Sequence, residues 1–446
     1  MKSYPYYLLS LLLIVLTFSC QSPAEKKNTA TSKAAINVPK LLDRPEPLWQ
    51  GEEWQNIQNT YGNARKNLQD HPEDLSPALA LVEVFIHEAR VTGEHGHYYP
   101  AALAMLDEVL QKETEASDLR FRSLSLKASV LMSQHEFKAA LAVAQEAIVI
   151  NRYNAQIHGI LVDANVELGR YEKAVQMADK MISIRPDLRS YSRVSYLREI
   201  HGDTDGAIAA MKLALSAAYP GQEQSAWIRL QLGNLYASVG QLDAATAQYE
   251  QILLERENYP FAIAAKAEIA IKKEDYATAK KLLHQACAII PEVGFYEQLA
   301  GVYQSLGQKE KLNEILPEIF TMLEDDIKSG HNMNLEYAHL HLNLTKDYDE
   351  ALTYALSEYN KRPENIDVNK TLSFIYFAKD DFAKAKEHLD KASSTQSKKS
   401  DLLCLQALLA IREGNKDWGM KQLKTAFKNN PYQSHTLAQE GKEKIG

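Results

Sequence analysis

From Ala155 to Asp187 the chain reads AQIHGILVDANVELGRYEKAVQMADKMISIRPD. Apolar residues recur there every three or four positions, the period of an amphipathic helix and not of a strand. Two such runs meet at Gly169-Arg170-Tyr171, and Pro186 closes the second. The stretch predicts two antiparallel helices joined by a tight turn. Its most useful marker is the small residue that opens the second helix. This marker recurs at Ala140, Ala174, Ala207, Ala245, Ala279, Ala351, Ala385 and Gly419, with Leu312 standing in once. The steps are 34, 33, 38, 34, 33, 39, 34 and 34 residues, and a looser copy at Ala102 lies 38 residues before the first. A repeat of this length predicts stacked hairpins, because one hairpin cannot bury its apolar face alone.

The residue types fit that reading. Two helices approach closely only where a small side chain faces the partner, as at Gly233, Ala267 and Ala300 on first helices. A larger residue three positions before the marker covers the turn: Phe137, Tyr171, Leu242, Tyr276, Tyr348 and Phe382. Proline ends units at Pro186, Pro291, Pro363 and Pro431, where a helix cannot continue. The unit resembles a tetratricopeptide (TPR) repeat, a helix–turn–helix of ~34 residues. Leu161, Gly169, Tyr171, Ala174, Ala178 and Pro186 stand where that motif expects them. The resemblance implies an all-α fold, a right-handed superhelix of about nine to ten repeats, with protein or peptide partners laid in its concave groove.

In that family the groove is lined by first helices, on the face turned away from the partner helix. One group on this face is Tyr196, Trp227, Leu230 and Phe261, with Asn234 among them. Another is Leu340, Phe374 and Phe377, near Lys370. Aromatic and aliphatic anchors of this kind suit an extended peptide or a helix. A stripe at helical spacing is also what inter-repeat core looks like, and Trp227 and Asn234 are the better groove candidates. Trp227 and Phe261 occupy equivalent positions and are expected to be neighbours across the stack. The Lys/Asn clamp that some TPR proteins close on a terminal carboxylate is not expected: Lys370 and Asn234 are not in adjacent units.

The termini read differently. In residues 1–19 Lys2 is the sole charge, Leu8 to Leu16 is almost wholly apolar, and Thr17-Phe18-Ser19-Cys20 follows. The apolar run is shorter than the ~20 residues a spanning helix needs. It resembles a lipoprotein signal peptide ending in a bacterial lipobox, although Phe18 stands where a small residue is usual; relaxed forms are familiar in Bacteroidota. The resemblance implies a lipid on Cys20 and, with Gln21 rather than Asp after it, an outer-membrane location. An ordinary cleaved signal or a short N-terminal anchor is the alternative. Residues 20–46 then read as a flexible tether, and 47–118 as a capping helix with the looser hairpin, whose turn spans Val91–Tyr98 before Pro100. Residues 119–433 are the regular array and 434–446 a polar tail. Longer joints are expected at Ser216–Ser225 and at Thr321–Asn332, with its acidic run Glu324-Asp325-Asp326.

Composition adds exclusions. The net charge is −8, and −9 once Lys2 is removed, which argues against nucleic acid as a partner. His87, Glu94, His95 and His97 surround the enlarged turn, but a solvated loop is the expectation, with no metal and no cofactor. Cys287 and Cys404 lie about three repeats apart, beyond the ~7 Å Cα limit of a disulfide. No phosphate loop, nucleophile elbow or Cys/His dyad occurs, so no enzyme is expected. The expectation is a membrane-anchored scaffold at the cell envelope. The alternative is an outer-membrane lipoprotein that captures glycans or nutrients, which the short joints and four Trp disfavour.

Overall fold

The computed structural model describes residues 36–433 and 437–445. The signal peptide, Cys20 and residues 20–35 lie outside the described residues. After a cap, α1 (Glu53–Asp70), ten hairpins follow one another. The first three pair α2 (Ser76–Thr92) with α3 (His95–Lys112), α4 (Asp118–Ser133) with α5 (Phe137–Ile150), and α6 (Ala155–Glu167) with α7 (Tyr171–Ile184). Next come α8 (Leu188–Ile200) with α9 (Thr204–Ser216), α10 (Glu223–Ser238) with α11 (Leu242–Glu255), and α12 (Pro260–Lys272) with α13 (Tyr276–Ile289). Then α14 (Val293–Ser305) pairs with α15 (Lys309–Lys328), and α16 (Asn334–Leu340), prolonged by one π-helical turn (His341–Thr345), with α17 (Tyr348–Lys361). The last two are α18 (Ile366–Ala378) with α19 (Phe382–Ala392) and α20 (Ser400–Arg412) with α21 (Lys416–Asn429). A short α22 (Ala438–Ile445) closes the array. No strand occurs among the described residues.

The markers do what their size requires. Ala102, Ala140, Ala174, Ala207, Ala245, Ala279, Ala351 and Ala385 are all 0% exposed, each at a helix–helix contact. Leu312 is half-buried instead, and Ile315, Ile319 and Leu323 carry the burial of α15 at four-residue spacing. Every hairpin turn holds one residue at positive φ: Gly93, His135, Gly169, Gly202, Gly240, Glu274, Gly307, Lys346, Asp380 and Gly414. An aspartate before the second helix caps it at some of these turns. Asp347 accepts from the Glu350 N–H at 3.1 Å, and Asp381 from the Lys384 N–H at 3.2 Å.

Four expectations change. The enlarged turn Val91–Tyr98 shrinks to Gly93-Glu94, since α2 runs to Thr92 and α3 starts at His95. Burial of Tyr98 and Tyr99 and the stacking of His95 on Tyr99, at 5.2 Å, favour helix there. Pro100 consequently falls inside α3 and does not open it. The joint at Thr321–Asn332 is mostly helix: α15 continues to Lys328, and the acidic run is its last turns. Residues 36–46 are no tether. Ile36, Leu41 and Arg44 are buried, the Leu42 N–H donates to the Tyr98 hydroxyl at 3.1 Å, and the Tyr61 hydroxyl to the Pro39 carbonyl at 2.9 Å. At the other end, residues 438–445 form a helix whose Gly441 faces Cys404 and Phe427.

The array also winds back onto itself. The turn of each hairpin from the second to the fifth meets the junction that follows the hairpin five places on. Gln134 Nε2 donates to the Ser329 carbonyl at 3.0 Å, and the Asn332 N–H donates to the Gln134 carbonyl at 3.0 Å. Asn365 Nδ2 donates to the Glu167 carbonyl at 3.0 Å, the Ile366 N–H donates to the Tyr171 hydroxyl at 2.8 Å, and Arg362 pairs with Glu167. Lys399 pairs with Glu199 at 3.4 Å, and Asn430 Nδ2 donates to the Ser238 carbonyl at 3.0 Å. The side-chain hydrogen bonds of this seam join residues 192 to 198 apart. One superhelical turn is thus five to six hairpins, and successive turns touch. Three turn glycines make the approach possible. A Cβ on Gly169 would lie 2.4 Å from the Glu364 backbone, on Gly202 2.6 Å from the Gln396 carbonyl oxygen, and on Gly240 3.1 Å from Pro431. A side chain there would hold the turns apart.

Candidate partner-binding surface

The inner wall is built by first helices, and its residues divide by exposure. Leu230, Leu340 and Phe377 are 8%, 1% and 5% exposed and belong to the core between repeats, so they are not groove residues. Tyr196 and Phe374 are half-buried and pack against that core, and burial pushes the Tyr196 phenol well up. Phe261 is half-buried as well. Its ring meets Tyr259 at 5.6 Å and Phe295 at 5.5 Å. Phe295 belongs to the next first helix but lies one position past Gly294, the residue equivalent to Phe261, so this contact is between neighbouring repeats and not between equivalent positions. The expected pairing of Phe261 with Trp227 is not found: Trp227 enters no aromatic pair among the described residues. Periodicity could not separate these cases, because core and groove residues alternate on the same helix within one turn.

Lys370 is placed on the wall but is already occupied. It lies 3.4 Å from Asp401 and 3.5 Å from Asp367. Burial works against its charge, yet the two carboxylates outweigh it and hold the ammonium well above the usual lysine range. A partner's carboxylate would have to displace both.

Trp227 and Asn234 remain open. Trp227 is 38% exposed, and Asn234 is exposed with its Oδ1 accepting the Tyr249 hydroxyl at 2.9 Å. Gly233 makes that bond possible, for a Cβ there would lie 2.3 Å from the Tyr249 ring. Trp227 and Asn234 lie seven residues, about two turns, apart on one face of α10. Asn234 borders a cavity of about 300 Å³ between superhelical turns, with Glu199, Glu268, Lys272, Lys399 and Asp401 also lining it. Its charges are largely internal pairs, Lys272 with Glu268 at 3.1 Å and Lys399 with Glu199 at 3.4 Å. The cavity offers hydrogen bonds at fixed positions rather than net charge.

A second charged region was not legible in the sequence. Glu292, Glu297, Asp326 and Glu336 come together at the seam near α14–α16. Burial, then the neighbouring carboxylates, raise Glu292 and Glu297 to about 7 and Asp326 to about 6. His135 reaches across from the earlier turn, 3.7 Å from Glu336. His95, expected in an open loop, is half-buried beside His331, with ring centroids 5.7 Å apart; burial lowers it to about 4. His97 bonds the Lys40 carbonyl at 2.8 Å, and His87 lies 3.5 Å from Glu53. Among the described residues no group of three or more His, Cys, Asp or Glu is placed to hold a metal ion.

The N-terminal strap ends in a buried hub. Arg44, 2% exposed, reaches Glu88 at 2.5 Å and Glu53 at 2.8 Å, and Glu53 reaches Arg256 at 2.9 Å. Burial would raise Glu53, but hydrogen bonds from His87, Arg256 and Arg44 outweigh it and hold the carboxyl far below the usual range. Sequence reasoning missed this hub because its members are up to 212 residues apart and follow no period.

Neither a family model nor a curated protein matches the chain. Solved structures do resemble it. Cut9, in the APC/C hetero-tetramer Cut9–Hcn1, is 13% identical with a TM-score of 0.44; the match covers 81% of this chain and 60% of Cut9. TTC0263, a thermophilic TPR protein of Thermus thermophilus, is 21% identical, with a TM-score of 0.37 over 44% of this chain and 98% of its own. Human IFIT1, in a dimer with m7Gppp-AAAA, is 12% identical, with a TM-score of 0.45 over 85% and 87%. At such identities and TM-scores these likenesses say nothing of role; the all-α solenoid of hairpins is read from the helices themselves.

Proposed function

We propose that this chain is a scaffold of the bacterial cell envelope, fixed to the outer membrane through an acylated Cys20 and binding one or more proteins. The observation that supports the reading best is the exposed face of α10 that carries Trp227 and, two turns on, Asn234 at the edge of a polar cavity. The binding surface in this proposal is that face and not the whole concave groove, since Leu230, Leu340 and Phe377 are core and Lys370 is held by two carboxylates. A tryptophan that a partner buries is a common binding hot spot, and its loss costs ~2 kcal/mol or more.

The test is co-purification from solubilised outer membrane, comparing wild type with Trp227→Ala and Asn234→Ala. Trp227→Ala is expected to lose the partner while keeping helicity and melting point; Asn234→Ala also strands the buried Tyr249 hydroxyl, so its capture is scored on the folded fraction, and full capture by both places the surface elsewhere. Membrane attachment is tested by Cys20→Ala, which should release the chain into the soluble fraction. Retention after a high-salt wash would overturn the lipid assignment. Capture of a small polar ligand is the second reading, favoured by the size and polarity of the Asn234 cavity. Binding on a glycan array with no co-purifying protein would select it.

A further inference from the structure

The last hairpin departs from the rest of the molecule in charge. The chain is net −8, yet residues 398–430 hold seven basic and three acidic side chains. Lys416, Lys421, Lys424 and Lys428 all lie on α21 and are all exposed. At about 100° per residue, Lys421, Lys424 and Lys428 fall within one narrow arc, with Trp418 and Thr425 at its edge. Gly419, Leu423 and Ala426 point the other way and are buried. Trp418 is 44% exposed. Asp417 falls inside the same arc, which stays net positive, and it borders with the three lysines an open depression of about 460 Å³.

Two other outer helices, α19 and α7, balance their charges, while α11 carries only acids and α13 only Lys280 and Lys281. On α19, Lys384 lies 3.5 Å from Asp381 and Lys386 3.6 Å from Asp390. On α7, Glu172 and Asp179 accompany Lys173 and Lys180. Asp417 is the one acid on α21, and no ion pair among the described residues engages its four lysines.

We propose that this face of α21 docks on an anionic phospholipid surface. The chemistry favours a membrane over a folded acidic partner. Lysines on flexible stems are point charges that adapt to mobile headgroups, whereas fixed carboxylates or phosphates are better gripped by the arginine fork, absent from this face. Tryptophan at the edge of a basic face is the side chain that settles at the lipid–water interface. The depression is open, so it encloses no chain but leaves the ammonium groups accessible. The inference does not depend on Cys20. If both operate, lipid and basic face together supply the two signals that stable attachment takes.

The test is vesicle flotation of the full-length chain carrying Cys20→Ser, which takes no lipid. Vesicles of phosphatidylcholine containing phosphatidylglycerol are compared with phosphatidylcholine alone, at low and at high salt. The expected result is salt-sensitive binding that requires phosphatidylglycerol. It should fall roughly a hundredfold in Lys421→Glu/Lys424→Glu/Lys428→Glu, each lysine contributing about fivefold. Lys138→Glu/Lys173→Glu/Lys180→Glu on the outer helices α5 and α7 should change it far less. Binding through the apolar N-terminus would be indifferent to headgroup charge, so equal binding to both vesicles overturns the proposal. So does undiminished binding by the α21 variant with an unchanged melting curve, or binding of polyglutamate or an oligonucleotide by a chain that ignores the vesicles.

Discussion

The interior of each hairpin and the seam between superhelical turns hold the same molecule together with different materials. Inside a hairpin the contacts are small and apolar, such as Ala174 against α6, and they recur with the repeat. Across the seam they are polar and individual: a glutamine amide in one rung, an arginine and a tyrosine hydroxyl in the next, a lysine in the third, an asparagine in the fourth. The hairpin interior must bury apolar surface, so any side chain of the right size suffices and the pattern repeats. The seam joins turn backbones, whose N–H and C=O groups lose water when the turns touch and require hydrogen-bond partners.

The sharpest way to break this comparison is Arg362→Ala. Arg362 bridges Glu167 across the seam and Glu358 on its own helix, and Glu358 is 1% exposed. Without it the buried carboxylate keeps only the Asn332 and Asn334 amides and no countercharge, which should cost about 3 kcal/mol in denaturant unfolding. An unchanged midpoint would mean that the seam does not form in solution. Next comes a matched pair of glycines. Gly169 and Gly414 both have positive φ, but a Cβ on Gly414 meets nothing within 4 Å. Gly414→Ala should cost about 1–2 kcal/mol from the backbone conformation alone. Gly169→Ala should cost clearly more and speed amide exchange at 362–366; equal losses would sink the close approach at Glu364.

The core side is tested by Ala174→Leu, expected to cost about 1–3 kcal/mol by overpacking. A melting curve like wild type would show that the register is wrong. Smaller again is the pH effect of the seam carboxylates. The folded state raises Glu297 to about 7, so its contribution is complete below the unfolded carboxyl range and is lost as pH rises through 7. Stability of wild type relative to Glu297→Gln should therefore decline between about pH 4.5 and 7 and level off above. A flat difference across that window would show the group to be solvated. Lys399→Ala should be the least of these, under about 1 kcal/mol, because the pair with Glu199 is partly exposed.

How much was legible follows from the same contrast. Hairpin boundaries, markers and caps were readable because a helix is a local structure and its stacking partner is the next one in sequence. Where local signals misled, tertiary burial was the cause: His95 and Pro100 look like loop and helix start, until Tyr98 and Tyr99 are buried and pull the helix forward. The binding wall was legible only as a face. Which residue of that face is core depends on the curvature of the stack, and Leu230 against Trp227, three positions apart, shows how finely it divides them.

The repeat period, the number of hairpins and the small residues at their contacts were determined by the sequence alone, since each rests on interactions within about one repeat length. The pitch was not. Whether turn n meets the junction five hairpins on depends on small rotations accumulated over nearly two hundred residues, which no single repeat encodes. That pitch brings Gly169 against Glu364, sets His135 beside the four acids and leaves Trp227 and Asn234 in the open. Only the tertiary structure could decide it, because a rotation too small to alter any one hairpin sets which distant backbones touch.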